Sequence, residues 1–250
     1  PLRVGLFSPG LGNHPTALLV AELLHHLPDH GIACIAIATA RSGGIAIAPG
    51  IAAACAATLD LSSQGPAQAI HAIRAADLDV LLDMECYTGR DLAEVPAARV
   101  APVQVNWLAT PGPSGAPATD YLIADPWVVP DTERAHVSEA LLRLPRPYLP
   151  YDTRACIGQP PPRDACGLPR TGVVLACFSN GYKVTPDGFG TWMRILQGLP
   201  GAVLWLLGDP ADARADRLRR AAASADVDPA RLVFQPKLPH ADFLARHAHV

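Results

Sequence analysis

Apolar positions along the chain form short continuous runs that alternate with longer segments of helical spacing. The runs RVGLF and IACIAIAT are typical of strands buried in a parallel sheet. Between them, residues 16–27 carry leucine, valine and alanine at close to helical spacing. Such alternation of strand and helix favours a doubly wound α/β sheet.

The same alternation continues to about residue 144. It predicts a helix over residues 67–76. It predicts strands within DVLLDM, PVQVNWL, DYLIAD and ALLRLP. Residues 44–57, which are rich in alanine, isoleucine and glycine, match neither pattern, and we assign no element to them.

A proline-rich stretch at residues 145–169 interrupts the alternation with seven prolines. Proline removes backbone donors and stiffens the chain, so we interpret this stretch as a linker. Strands are then predicted in GVVLACFS, AVLWLLGD and RLVFQPK, with helices over 186–199, over 215–225 and from about His240. We therefore predict an N-terminal Rossmann-like domain (1–144), the linker (145–169) and the first part of a C-terminal Rossmann-like domain (170–250).

Composition narrows the class of protein. The chain has 250 residues, half of them hydrophobic, and a net charge of −3 without a basic run, so we predict no nucleic-acid partner. No apolar run reaches the roughly 18–20 residues of a membrane span, and we predict no membrane partner.

Six scattered cysteines lack zinc-site spacing and favour a reducing, cytoplasmic setting. The chain opens on a strand and closes within a helix, so we expect it to be part of a longer protein.

Three turn segments after predicted strands carry candidate functional residues. GNHPT places His14 where a histidine can act as a base near neutral pH or cap the following helix. CFSNGYK places Asn180, Tyr182 and Lys183 after the first strand of the second half. A lysine there can neutralise a diphosphate, and a solvated surface lysine is the alternative. The glycines of WLATPGPSGAPATDY allow either a binding loop or an ordinary surface loop.

Two further groups of residues suggest other chemistry. The last predicted helix has His240 and Arg246 in its first turns, and a helix N-terminus favours anions. The histidines of this segment lack the i, i+4 spacing of a zincin helix, so we predict no metal site. Asp79, Asp83 and Glu85 lie along one predicted strand, where Asp83 and Glu85 share a face. Paired acids permit glycoside hydrolysis, and structural hydrogen bonding is the alternative.

Several segments together resemble one family. In chain order they are GNHPT, APVQVNWLATPGPSGAPATDY, CFSNGYK, VLWLL and RLVFQPKLPHADFLAR. They resemble the catalytic region of O-linked N-acetylglucosaminyltransferases, in particular the bacterial homologues. Plant SPINDLY-type O-fucosyltransferases, which use GDP-fucose, are a sister branch. The resemblance implies a GT-B fold, in which two Rossmann-like domains hold a nucleotide sugar, and here the second domain is incomplete.

The resemblance also implies an activity. It is an inverting, metal-independent transfer of N-acetylglucosamine from UDP-GlcNAc to serine and threonine hydroxyls of a protein or peptide, with no cofactor. Many members carry tetratricopeptide repeats before this region, outside the present chain. The matching catalytic residues are His14, near sugar and acceptor, and Lys183, at the diphosphate. The matching nucleotide-sugar-binding residues are Asn180, Tyr182, His240, Arg246, Leu108, Pro111 and Gly112.

Some positions depart from the family pattern. Ala109 and Thr110 stand before Pro111-Gly112 in place of the usual Gly-Tyr or Ala-Tyr, and Pro113 replaces a threonine. A GDP-fucose-dependent or other nucleotide-sugar transferase therefore stays open, as does a non-catalytic nucleotide-sugar or partner-binding module. Family segments that complete the donor site lie beyond Val250, so we expect these 250 residues to be inactive alone.

Overall fold

The chain divides into two compact units. The computed structural model describes residues 1–41, 43–84, 86, 92–108, 110 and 112–250. The first unit is Pro1–Arg154 and the second is Ala155–Val250. The division falls inside the proline-rich stretch 145–169.

The first unit is built on a parallel sheet of seven strands in the order β3-β2-β1-β4-β5-β6-β7. Its strands are β1 (Leu2–Ser8), β2 (Ile32–Ala38), β3 (Ala57–Asp60), β4 (Val80–Asp83), β5 (Val103–Asn106), β6 (Tyr121–Ala124) and β7 (Ala140–Arg143). The chain enters at β1, moves to one edge and then returns to fill the other half. The strand order therefore reverses beside β1, and open α/β sheets bind ligands at the carboxyl ends of strands at such a point.

Helices cover both faces of this sheet. They are α1 (Pro15–His26), α2 (Pro49–Ala54), α3 (Pro66–Ala75) and α4 (Glu94–Ala97). Leu6 of β1 belongs to the core that contains Val20 of α1. Its neighbour Phe7 belongs to the opposite core, with Ile73 of α3 and Val95 of α4. Successive β1 residues thus serve different cores, as the period of two in a strand requires.

The second unit has a parallel sheet of three strands in the order β10-β9-β8. Its elements are β8 (Val174–Cys177), α5 (Pro186–Gly198), β9 (Val203–Leu207), α6 (Ala213–Ser224), β10 (Leu232–Gln235) and α7 (His240–Ala245). Thr185 caps α5 by accepting the Gly188 N–H at 3.2 Å, and Pro186 takes the first helical position. One core lies under α5 and α6, and the other surrounds Trp205.

Most predicted elements are confirmed, and the exceptions have weak patterns. The structure adds α2 inside the unassigned stretch 44–57 and adds the short helix α4. It also adds β3, an edge strand in which only Leu59 is partly buried. An edge strand with little burial leaves no run or alternation to detect. None of the helices in the described part of the chain has the length and apolar character that a membrane span needs.

Asp120, just before β6, ties that strand to β5. Its carboxylate accepts two hydrogen bonds from the Arg99 guanidinium, at 2.7 and 3.0 Å, and one from the Gln104 N–H at 2.8 Å. The hydrogen bonds from Arg99 are the main cause that lowers the pKa of Asp120. The ionised carboxylate is therefore favoured in the folded state.

We expect Asp120→Asn to lower the thermal unfolding midpoint at pH 7. Because folding lowers the pKa of Asp120, its contribution is complete above the pKa of an unfolded aspartate, about 4, and is lost as the pH falls further. The difference from the wild-type midpoint should therefore narrow between pH 5 and pH 3. Asp131→Asn is the control. Asp131 also forms an ion pair, with Arg143, but its side chain is 97% exposed, so this ion pair should contribute little to stability. A difference that widens toward pH 3 would contradict this account.

Candidate functional site

His14 lies directly beyond β1 and caps α1. Its Nδ1 accepts the Thr16 N–H at 3.2 Å and lies 3.1 Å from the Thr16 hydroxyl oxygen. A backbone amide can only donate, so Nδ1 uses its lone pair and the neutral ring carries its proton on Nε2. Gly10 is required beneath this ring, since a Cβ there would lie 2.6 Å from Nδ1. The helix-cap interpretation of GNHPT is confirmed, and the cap makes Nε2 the nitrogen that carries the proton of the neutral ring.

A cavity of about 380 Å³ adjoins His14 in the first unit. Leu18 of α1 and Ile45 line it, and each is more than 40% exposed. His25 and Arg154 also line it, so the surface next to His14 mixes apolar and polar groups.

Buried polar side chains mark the carboxyl ends of the central strands. They are Ser8, Thr39, Asp83 and Asn106. Asp83 accepts the Cys86 N–H at 2.9 Å, which is the structural role considered for it. Asp79 instead precedes β4 and accepts the Arg3 N–H at 2.7 Å, so it lies at the opposite end of the strand from Asp83. Glu85, the other member of the predicted acid pair, lies outside the described residues.

The loop after β5 has an unusual backbone conformation. Leu108 is buried with φ of +78°, in the left-handed region that leucine rarely adopts. The Gly112 carbonyl accepts the Asn106 side-chain amide at 2.9 Å. Pro111 and Ala109 lie outside the described residues.

In the second unit, Asn180, Tyr182 and Lys183 lie together in the turn after β8. Asn180 precedes the 3-10 turn Gly181–Lys183, in which Tyr182 is 80% exposed. The exposed Lys183 ammonium lies 6.0 Å from the centre of the Tyr182 ring. Within the described part of the chain, Lys183 makes no ion pair. The sequence prediction that these residues share one turn is confirmed.

Two arginines that sequence reasoning missed line the cavity beside this turn. The cavity measures about 510 Å³, and Arg214 and Arg217 of α6 line it together with Gly181 and Tyr182. The Arg214 guanidinium donates to the Leu207 carbonyl at the end of β9. It occupies space that a Cβ at Gly181 would overlap. The lining residues include no acid, so the cavity favours an anion.

Arg246 differs from its predicted placement. Helix α7 ends at Ala245, so Arg246 follows its last turn and does not lie in its first turns. Arg246 is 1% exposed. Its guanidinium lies 4.3 Å from the centre of the Phe178 ring and 4.9 Å from the centre of the Phe243 ring. It makes no hydrogen bond within the described residues. Burial lowers the pKa of Arg246. Aromatic packing, not a helix N-terminus, therefore determines where this cation lies.

His240 is the first residue of α7, as predicted, and it is exposed. Its ring stacks on Phe243 at an interplanar angle of 15°. Across the described residues, no group of three histidine, cysteine, aspartate or glutamate side chains could hold a metal ion.

Comparison with known proteins identifies the family. The chain matches the family model described as glycosyl transferase family 41 over residues 1–158 and 161–248. The chain belongs to this family. The family 41 chain is 31% identical over 242 residues to the probable UDP-N-acetylglucosamine–peptide N-acetylglucosaminyltransferase SEC of Arabidopsis thaliana. This alignment covers 93% of the chain and 24% of that relative. It is 30% identical over 181 residues to the Petunia hybrida SPINDLY protein of the same description, covering 71% of itself and 19% of that relative.

Solved structures confirm the GT-B fold. A variant of the Thermobaculum terrenum O-GlcNAc transferase superposes on the whole family 41 chain with a TM-score of 0.86 at 27% identity. The match covers 47% of that structure. Sucrose-phosphate synthase from Thermosynechococcus elongatus matches 99% of the chain with a TM-score of 0.56 at 13% identity, which reflects the fold alone. The chain thus spans about half of the bacterial relative and about a fifth to a quarter of the plant relatives.

We expect His14 and His247 to be opposite neutral tautomers. His14 accepts a backbone N–H at Nδ1, whereas Nδ1 of His247 faces the Phe243 carbonyl at 2.9 Å and must donate. Nitrogen chemical shifts of ¹⁵N-histidine-labelled protein above neutral pH should show the proton on Nε2 in His14 and on Nδ1 in His247. His14→Asn and His247→Asn assign the signals. A proton on Nδ1 of His14 would refute the cap geometry.

We expect Gly181→Ala and Arg214→Ala to be strongly non-additive. In the wild-type background the alanine methyl overlaps the Arg214 guanidinium, and overpacking of this kind costs about 1–3 kcal/mol of unfolding free energy. In the Arg214→Ala background most of that cost should disappear. Denaturant unfolding of the two single variants and the double variant measures the coupling. Additive costs would show that Arg214 is not the reason for the glycine.

Proposed function

We propose that this family 41 chain belongs to an inverting glycosyltransferase that transfers N-acetylglucosamine from UDP-GlcNAc to serine or threonine hydroxyls of proteins in the cytoplasm. In this proposal the transfer uses no metal ion and no cofactor. The observation that carries the proposal is the cationic turn after β8. There Lys183 has no ion-pair partner in the described part of the chain, and Arg214 and Arg217 line the adjacent cavity. A nucleoside diphosphate is the ligand that such a turn suits.

The charge that develops in the reaction explains why cations are needed at this turn. The acceptor oxygen forms a bond to the anomeric carbon while the bond from that carbon to the diphosphate oxygen breaks, which inverts the configuration. The hydroxyl proton passes to solvent water, and the departing diphosphate gains negative charge. The Lys183 ammonium, already positioned beside Tyr182, stabilises that charge more in the transition state than in the bound donor.

Residues of the first unit contribute to sugar and acceptor binding in this proposal. His14 presents an Nε2–H when neutral, so it donates a hydrogen bond to a sugar or acceptor oxygen and does not remove a proton at that nitrogen. Leu108, Pro111 and Gly112 belong to the loop that contacts the sugar.

The remaining residues of the second unit bind or support the nucleotide. Asn180 and Tyr182 contact the donor beside Lys183, and His240 contacts the nucleotide from the N-terminus of α7. Arg246 supports the site by stacking on Phe178, the residue that follows β8. This assignment differs from the nucleotide contact implied by the family resemblance, because the Arg246 side chain is enclosed by aromatic rings.

The relatives support the donor and acceptor classes. The Arabidopsis SEC protein is described as a probable UDP-N-acetylglucosamine–peptide N-acetylglucosaminyltransferase, and the bacterial structure is an O-GlcNAc transferase. Both names specify an N-acetylglucosaminyl group, and the Arabidopsis name adds a peptide acceptor.

Titration calorimetry of UDP and GDP into the full-length natural protein tests the proposal. We expect UDP to bind more tightly than GDP, and Lys183→Ala to weaken UDP binding roughly tenfold, or about 1.4 kcal/mol, because the diphosphate loses its cation. Arg220→Ala, which removes an exposed cation from α6 outside the cavity lining, is the matched control and should bind UDP as the wild type does.

Three outcomes would contradict the proposal in different ways. A preference for GDP would indicate a GDP-fucose-dependent enzyme. Equal weakening by Lys183→Ala and Arg220→Ala would show that only general charge matters. Nucleotide binding without any turnover of the UDP-sugar would indicate a non-catalytic binding module.

A further inference from the structure

Glu139 is a buried carboxylate that no catalytic role explains. It directly precedes β7 and is 2% exposed. One carboxylate oxygen accepts both the N–H and the hydroxyl of Ser114, each at 2.6 Å. The other oxygen accepts the Ser138 hydroxyl at 2.8 Å. Three donors therefore converge on one side chain, and two of them come from the loop after β5.

Glu139 stays ionised although its burial is unfavourable. Burial alone raises the pKa of a carboxyl group, yet the hydrogen bonds from Ser114 and Ser138 outweigh it and lower the pKa of Glu139. Glu139 has no cationic partner in the described part of the chain. A buried charge without a counterion is expensive to maintain, and donors held this close are the compensation.

The same loop is held at a second point. Asn106, which is fully buried at the end of β5, donates its side-chain amide to the Gly112 carbonyl at 2.9 Å. The Ser114 hydroxyl also accepts the Ala116 N–H at 3.2 Å. Gly112 and Ser114 are thus attached to β5 on one side and to the start of β7 on the other.

The backbone conformation of Leu108, at the start of the same loop, is strained. Leu108 has a positive φ, which is unfavourable for a leucine and persists only where the surroundings impose it. Its side chain is 7% exposed and packs in the core of the first unit, while separate hydrogen bonds hold Gly112 and Ser114. A loop held in one conformation before binding does not lose conformational entropy when a ligand arrives.

We propose that Glu139 is a positioning residue for donor-sugar binding. It acts through Ser114 to hold the loop that contains Leu108 and Gly112 in the conformation that contacts the sugar, and it does not touch the substrate. The inference rests on the proposed function, because that function makes this loop the sugar-contacting segment. It follows that loss of Glu139 impairs recognition of the sugar and leaves recognition of the nucleotide unchanged.

Asp125 provides a matched control. It lies just after β6, is 2% exposed, and accepts three backbone N–H groups at 2.7–2.9 Å, from Trp127, Val128 and Tyr148. Its pKa is also lowered, because these hydrogen bonds outweigh the effect of burial. None of the hydrogen bonds that Asp125 makes among the described residues goes to the loop after β5. Asp125→Asn and Glu139→Gln therefore remove equivalent charges, and only one of them acts on the loop.

The experiment compares the two variants in the full-length natural protein. It measures the thermal midpoint, the Kd for UDP, and kcat and KM for the UDP-sugar well below both midpoints. We expect both variants to lose thermal stability and both to bind UDP as the wild type does. Only Glu139→Gln should raise the donor KM, by roughly tenfold, since a charge-assisted hydrogen bond to the loop is lost. Ser114→Ala, which removes only the hydroxyl donor, should raise the donor KM to a smaller extent.

A donor KM that is unchanged in Glu139→Gln, or raised equally in Asp125→Asn, would overturn the inference and leave Glu139 a structural residue. If Glu139→Gln does not fold, Ser114→Ala decides the question, and an unchanged donor KM would overturn the inference. Failure of the wild-type protein to bind UDP or turn over the UDP-sugar would refute the proposed function, and the inference would fall with it.

Discussion

The placement of the candidate residues that lie in turns after strands depends on the burial of parallel strands on both faces. Such a strand must end in a turn at the same edge of the sheet as its neighbours, because all its backbone groups pair laterally and its side chains pack on both sides. His14 follows β1, Gly112 follows β5 and Lys183 follows β8. Hydrophobic burial therefore decides where polar chemistry can lie, and the turn residues decide what that chemistry is.

Two of these turns are held by a polar side chain bonded to their own backbone, and the third packs against a side chain bonded to a neighbouring strand. His14 caps α1, Asn106 holds the Gly112 carbonyl, and Arg214 binds the end of β9 beside Gly181. A side chain that satisfies a backbone group in this way loses its freedom to rotate. Its own orientation is then fixed, as that of the His14 ring is, or it packs against the turn, as Arg214 packs against Gly181. Binding groups arranged before the ligand arrives lose less entropy on binding.

The sequence was informative where burial was strong and local. Apolar runs predicted the long strands, and the order of motifs predicted the GT-B fold and the grouping of Asn180, Tyr182 and Lys183. Contacts between distant segments could not be predicted in the same way. Arg246 was misplaced because α7 stops at Ala245 and because Phe178, far away in the chain, supplies the ring on which the guanidinium stacks. In the sequence, nothing distinguishes Arg214 from a surface arginine. Only the structure shows that its guanidinium occupies the space that a Cβ of Gly181 would need. Glu139 gives no sequence signal, since its partner Ser114 is 25 residues earlier in the chain.

The central claim is that the turn after β8 binds a diphosphate. A crystal structure of the full-length protein with UDP tests this claim most directly. We expect a diphosphate oxygen within hydrogen-bonding distance of the Lys183 ammonium, with Tyr182 beside it. UDP bound elsewhere, with Lys183 pointing into solvent, would contradict the account.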